Sequence, residues 1–413
     1  MADYDEATTN YGTAKSPTFV PPSGEDDFGG KKEFKSPKQP YDHFMDEEGV
    51  PVYREIGFND VRDLDLGDWS RIGGRGAYIQ LLGTEELWGM QVVEIPPGAS
   101  LEVDQHIYEK IMYVVEGAGT TEVWRNGAPA GTSPQSFEWG SGSLFGIPLN
   151  APHRLINGTN KRALIIAGTT APPVFNMYDN REFIFANPYP FEERYSGKSD
   201  YFDYRDELVA DPVRGRAMQV TNLIPDLVNL EMPLDNQRGP GTRRIQPWMA
   251  NARFYMKVLE FQVGRYAPAH HHPPSAVLIC IKGGGFTYTW PREASFTPWA
   301  NGTGDAVQRV DYRPGGMVAA APGGGDWVHQ HFATSAEPLR VLAMNGPPSA
   351  RIAGLFAPPG ATLKSSNLGM TEGGRSVEFW AEDPHIRQEF EAQLAKAGLT
   401  TRMPPELYKR PDA

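Results

Sequence analysis

The chain carries one pattern twice. Val114-Val115-Glu116-Gly117-Ala118-Gly119 returns 166 residues later as Cys280-Ile281-Lys282-Gly283-Gly284-Gly285, and Trp124 returns as Trp290 at the same offset. Gly142 and Pro148 return as Gly316 and Pro322 at an offset of 174, and Pro172-Pro173 as Pro347-Pro348 at 175. Loop insertions produce such a drifting offset. Solenoid repeats run ~20–50 residues, so a period this long means a duplicated domain. Length agrees: one hydrophobic core stops growing near ~250–300 residues, and this chain has 413.

Each copy is a series of short runs rich in β-branched and aromatic residues, separated by Gly/Pro turns. The first series is 88–95, 111–115, 120–124 and 163–167; the second is 254–263, 276–281, 286–290 and 339–344. This texture predicts an all-β fold and accounts for the 44 glycines and 37 prolines. Helical spacing is confined to a few places. The clearest is 384–397, where Ile386, Phe390 and Leu394 share a face, Asp383 suits the N-cap, Pro384 the first turn and Gly398 the stop. A weaker helix is expected over 202–209. Residues 1–49, polar and proline-rich with almost no apolar periodicity, read as a flexible arm. The expected layout is an arm (1–49), a first barrel (50–190), a connection (191–244), a second barrel (245–365) and a tail with a helix (366–413).

Composition narrows the function classes. The net charge of −12 argues against a nucleic-acid binder and against an anionic membrane surface. A single cysteine, Cys280, excludes an intramolecular disulfide framework and a multi-cysteine zinc site. No apolar run reaches the ~18 residues of a membrane span, and Met1 to Tyr11 lack a basic-then-apolar signal pattern. A cytoplasmic location is the expectation.

The nine histidines carry the chemistry; seven lie within the repeated motifs. In the second copy, Gly264 is followed after five residues by His270-His271-His272, and later comes Trp327-Val328-His329-Gln330-His331. Residues two apart on a strand share a face, so His270 and His272 point together with His271 opposite, and His329 and His331 point together. A histidine pair on one strand and a histidine from a distant strand form a facial set of neutral nitrogen ligands with open positions for substrate and oxygen or water. Imidazole suits iron, zinc, copper and nickel alike. His331 fits three roles: a partner holding a ligand ring, an alternative ligand, or an acid/base acting on substrate. His43 and His385 lie outside the motifs and read as surface residues. Phe286, Tyr288 and Trp290 read as core packing, and Cys280 as an inert buried thiol. Arg253 and Arg265 are considered for binding a substrate carboxylate.

These motifs resemble the cupin superfamily. Its first motif runs Gly, five residues, His-x-His, usually Glu, then Gly; here Gly264, His270, His272 and Gly283 fall in register and Ala276 takes the Glu position. Its second motif runs Gly, five residues, Pro, then His; Gly316 and Pro322 match, with the His two residues late after Gly323-Gly324-Gly325. The loss of Glu, Ser275-Ala276 and the Trp-x-His-x-His run are similar to the gentisate 1,2-dioxygenase group. The resemblance implies two tandem cupin barrels, covering about two thirds of the chain. It further implies Fe(II) held by His270, His272 and His329, with Mn, Zn, Ni or Cu as other metals, and O₂-dependent cleavage of a small phenolic or carboxylated molecule, with His331 moving a proton.

In the first copy the same positions read Asp104, His106, Lys110 and His153, with Glu109 beside Lys110 and with Gly98, Gly142, Pro148, Asn150 and Asn157 in register. A lysine among the ligands repels a cation and can pair with Asp104. Asp104, His106 and His153 nonetheless form a second, weaker candidate set. Here the better ligand set is carboxy-terminal, whereas gentisate enzymes usually use the amino-terminal one. Two other functions stay open: a non-oxidative lyase, decarboxylase or isomerase using Mn, Zn or Ni, and a non-catalytic ligand-binding protein. Edge-strand pairing or arm exchange would fit a homo-oligomer.

Overall fold

A computed structural model describes residues 38–211, 215–236, 238–272, 276–322, 327–347 and 368–411. Most of the expected arm, the Gly323–Gly325 insertion and the end of the second barrel lie outside these residues.

Two β-barrels stand in tandem, each a large sheet closed against a small one. In the first barrel the large sheet contains Lys110–Glu116, Ala163–Thr169 and Gly89–Ile95 at its centre, and the small sheet contains His153–Ile156, Ala118–Val123 and Gln135–Gly140. In the second barrel Tyr255–Phe261, Leu339–Gly346 and Val277–Lys282 lie in the large sheet. Its small sheet is His270–His272, Trp327–Ala333, Gly285–Pro291 and Gln308–Tyr312. All eight expected strand runs are present, with ends shifted by a few residues.

The central strands read as unbroken apolar runs because both of their faces are buried. Met112 and Val114 fill the first barrel, while Ile111, Tyr113 and Val115 point into a shared core between the barrels. The second barrel repeats the device. Leu278 and Cys280 fill it, and Val277, Ile279 and Ile281 meet the first barrel's residues in the shared core. Pairing with period two thus assigns each residue of a continuous hydrophobic stretch to one of two cores.

The barrels are not the contiguous segments that the sequence suggests. Gly57–Phe58, expected in the first barrel, pairs with Met317–Ala319 of the second, Met317 opposite Phe58. Leu223–Ile224, from the connection, pairs with Leu144–Ile147 of the first. Each barrel therefore borrows an edge strand. A side chain at 57 would place its Cβ 2.3 Å from the Met317 carbonyl oxygen, so this exchange requires glycine.

The repeat itself needs one correction. Gly142 N–H donates to Val114 O, and Val114 N–H to Ser143 O; in the second copy Gly315 N–H donates to Cys280 O, and Cys280 N–H to Gly316 O. Gly142 (φ 90°) therefore corresponds to Gly315 (φ 100°), one residue before the match made by sequence. The five-residue spacing to Pro322 belongs to Gly316, whereas the left-handed backbone and the hydrogen bond that match Gly142 belong to Gly315.

Helices occur where periodicity was weak. Pro40–Glu48, inside the expected arm, is a helix that buries Tyr41, Phe44 and Met45. Ala171–Tyr178 and Arg181–Phe185 follow the first barrel. The helix expected at 202–209 is absent; Leu208–Ala210 is instead a strand at the sheet edge. The expected carboxy-terminal helix is present as Pro384–Lys396, and the Asp383 carboxylate accepts from His385 N–H at its start. No helix among the described residues is long and apolar enough to cross a membrane.

That last helix covers the outer face of the second small sheet. Ile386, Phe390 and Leu394 pack on Phe286, Tyr288, Trp290, Val328 and Phe332, so the aromatic stripe is core. Just before the helix, the Glu382 carboxylate accepts from Tyr266 Oη and from Gln330 Nε2. Burial pushes the Glu382 carboxyl up to about 7, against the lowering effect of those two donors. An acid raised on folding ionises first in the unfolded chain. Its contribution is therefore neutral below the ordinary carboxylate range, and stability falls as pH rises from about 4.5 to about 7. Glu382→Gln should remove this dependence and stabilise the chain at pH 8 by up to ~3 kcal/mol. Urea titrations at pH 5 and pH 8 measure the difference; an equal effect of the variant at both pH values would rule the account out.

Candidate metal centre

His270–His272 pairs antiparallel with Trp327–Ala333, with His270 opposite His329. Strand alternation turns His270, His272, His329 and His331 inward, together with Thr287 and Thr289 of the neighbouring strand. His271 faces outward, its ring 5.6 Å from that of Phe296. One nitrogen each from His270, His272 and His329 lies within 4.8 Å of the other two, and all three residues are buried.

The donor set fits a divalent ion. His270 donates Nδ1–H to Pro268 O at 3.1 Å, which leaves its Nε2 as a bare lone pair. That lone pair faces His329 Nε2 at 3.0 Å. Two nitrogens each ~2.1 Å from one ion, at right angles to each other, would be about 3 Å apart. Burial, then the charge of Arg238, hold His270 well below the ordinary imidazole range, in the neutral form that ligates metals.

His331 lines the same cavity without joining the close triad; its ring centre is 5.3 Å from that of His329. Thr287 Oγ1 bonds its Nδ1 at 2.7 Å and Tyr312 Oη at 2.9 Å. Burial, Arg238 and Lys257 push the His331 imidazole down to about 3. The cavity, ≈ 20 Å³, is walled by Leu259, Phe261, Leu278 and Ala276 around the histidines, with Arg238 and Lys257 also lining it. Among the described residues, no carboxylate does.

Arg238 and Lys257 were not singled out by sequence. Lys257 left a signal: it lies in phase with Leu259 and Phe261 on the barrel-facing side of its strand. Arg238 left none, since the connection has no periodicity. The two arginines considered instead, Arg253 and Arg265, do not line the cavity. The backbone N–H of Arg253 donates to both oxygens of Glu109, at the junction of the barrels.

The amino-terminal set is built on the same register. Asp104 lies opposite His153 as His270 lies opposite His329, and one ligand atom each of Asp104, His106 and His153 lies within 4.8 Å of the others. His106 donates Nδ1–H to Tyr108 O (2.8 Å) and His153 donates Nδ1–H to Ala151 O (3.0 Å). Lys110 Nζ lies 2.8 Å from Asp104 Oδ2, and Arg71 lies 3.2 Å from Oδ1. Glu109 is turned toward Arg194 and the Arg253 N–H, away from the set.

No protein-family model and no curated protein matches the chain. Solved structures do. A point mutant of Bacillus subtilis oxalate decarboxylase is 13% identical, with a TM-score of 0.43 over 78% of this chain and 87% of that one. A formate complex of Lactobacillus farciminis oxalate decarboxylase is 12% identical, with a TM-score of 0.42 over 74% and 91%. Hazelnut (Corylus avellana) vicilin is 14% identical, with a TM-score of 0.38 over 63% and 75%.

Proposed function

We propose that the chain is a metal-dependent enzyme that acts on a small carboxylate in its carboxy-terminal barrel. The observation that carries this is the pairing of a three-histidine set with two cations, Arg238 and Lys257, in a cavity lined by no carboxylate among the described residues. Three neutral ligands leave a divalent ion its full charge, so an anionic partner is needed to balance the site. When bound, the metal would act as a Lewis acid on substrate oxygens. Arg238 and Lys257 would orient the carboxylate, the apolar walls would exclude water, and His331, held through Thr287, would exchange a proton with the substrate.

The two cations that line the site, Arg238 and Lys257, favour a small carboxylate as its ligand. We therefore rank oxygen-independent lysis, decarboxylation or isomerisation with Mn, Zn or Ni first. Fe(II)-dependent dioxygenation is second, favoured by the facial geometry of the three imidazoles. Metal analysis of anaerobically purified protein, with turnover of two- to six-carbon acids measured with and without O₂, separates these readings. Strict dependence on O₂ would reverse the ranking, and absence of bound metal would overturn both. Arg238→Ala should raise KM at least tenfold and change kcat less; an unchanged KM would remove Arg238 from substrate binding.

A further inference from the structure

We propose that the amino-terminal barrel carries its own cation: the ammonium of Lys110 stands where a metal would otherwise sit between Asp104, His106 and His153. The carboxy-terminal barrel need not bind metal for this to hold. Asp104 is the only carboxylate of the set, and both of its oxygens are taken, Oδ2 by Lys110 (2.8 Å) and Oδ1 by Arg71 (3.2 Å). Oδ2 is also the oxygen facing His106 Nε2, at 3.7 Å. The atom that would bridge a metal to His106 is thus the atom that the ammonium holds. His106 Nε2 is buried, has no hydrogen-bond partner, and is fixed as an acceptor by the bond from Nδ1 to Tyr108 O. It keeps the orientation of a ligand beside a charge supplied from within the chain.

The ammonium cannot easily give way. The Lys110 side chain is 6% exposed, and Gln91, Met112, Leu155 and Ile165 line the small cavity into which it projects, with the solvent-exposed Glu102 as the one other carboxylate among its described lining residues. Moving the ammonium out of contact with Asp104 would leave a desolvated charge unpaired. Leaving it in place would set a divalent ion against Lys110 and Arg71 across one carboxylate, a repulsion far above thermal energy in a barrel interior. The same chain of charges continues outward to the first helix. Glu48, at the end of the first helix, holds Arg71 at 2.6 Å, and Arg71 lies over the rings of Phe185 and Phe44 at 5.0 and 5.6 Å. The sequence Glu48–Arg71–Asp104–Lys110 runs from that helix to the barrel interior, so Asp104 also fastens the helix. The carboxy-terminal barrel has Ala276 at the position of Lys110, a side chain too short to place a charge among the three imidazoles.

The test is ion stoichiometry of the full chain, stripped of metal and then dialysed against Mn(II), with Co(II) absorption as a second readout. In the wild type, His106→Ala should leave the ion count unchanged. Lys110→Glu should bind one ion more than the wild type, and this ion should disappear in the Lys110→Glu/His106→Ala double variant. Lys110→Gln, which removes the charge without adding one, should gain the same ion with weaker affinity; it serves if the glutamate variant misfolds. A wild-type ion lost on His106→Ala or His153→Ala would overturn the proposal. So would folded Lys110→Glu and Lys110→Gln proteins with the wild-type count. A wild type that binds no ion, with one gained in Lys110→Glu, would refute the carboxy-terminal metal reading and leave this one standing.

Discussion

His329→Ala is expected to abolish metal retention and lower kcat/KM by at least ~10³-fold, while the chain stays folded. In the proposed site His329 would tie two strands together, since its Nε2 faces His270 Nε2 at 3.0 Å. Removing it leaves a pair on one strand, and two imidazoles cannot fix a facial geometry. The fold should survive because the ladder between His270–His272 and Trp327–Ala333 is made by backbone groups. Binding confers a second signature that does not depend on activity. An ion at 100 times its Kd stabilises the native state by ~2.7 kcal/mol, so added metal should raise the wild-type Tm and leave the variant's unchanged. His271→Ala, on the opposite face of the same strand, should retain the metal. Metal-dependent stabilisation that persists in His329→Ala would remove this residue from the site.

The largest expected effect on stability lies at the join between the second barrel and the connection. Arg340 and Glu260 sit opposite each other on adjacent strands, with side chains 6% and 8% exposed, and two hydrogen bonds of 2.8 and 2.5 Å join them. Arg340 also donates to Leu227 O in the connection at 2.8 Å. Neither charge has water to fall back on. Arg340→Met should cost ~3–5 kcal/mol because it leaves a buried carboxylate facing the neutral amide of Gln262 (2.9 Å) in place of a cation. The double variant Arg340→Met/Glu260→Met should recover much of that loss, because it removes both desolvation penalties together. Chemical denaturation of the four proteins of this cycle measures the coupling; a double variant no more stable than Arg340→Met would show that the carboxylate is not the source of the loss.

The elements that were legible in the sequence are those whose signal is local. Strand runs, the helix at Pro384–Lys396 with its Asp383 cap, and the spacing of the histidines all express backbone periodicity and turn chemistry over a dozen residues or so. The helix at Pro40–Glu48 carries like terminal signals, Pro40 in its first turn and Gly49 at its C-cap, but it buries only Tyr41, Phe44 and Met45, and a single short turn of apolar contacts barely stands out from a polar arm. The match of Gly142 to Gly316 in place of Gly315 failed for a different reason. The spacing to Pro322 selects Gly316, whereas φ and the hydrogen bond to Cys280 O, which only the folded chain reveals, select Gly315.

The sequence by itself determined that a strand-rich unit occurs twice, and that the second copy holds histidines in ligand phase while the first holds Asp104 and Lys110. These are consequences of repetition and of period two. Tertiary structure decided what no local pattern encodes. It set which edge strands are exchanged, which face of each apolar run meets the other barrel, and that Arg238, Lys257 and Arg71 reach the two sites from segments distant in the chain. The reason is physical: a charge at the rim of a barrel is placed by the closure of sheets that pair residues far apart in the chain, and the free energy of that closure belongs to the two cores rather than to the residue that ends up facing the cavity.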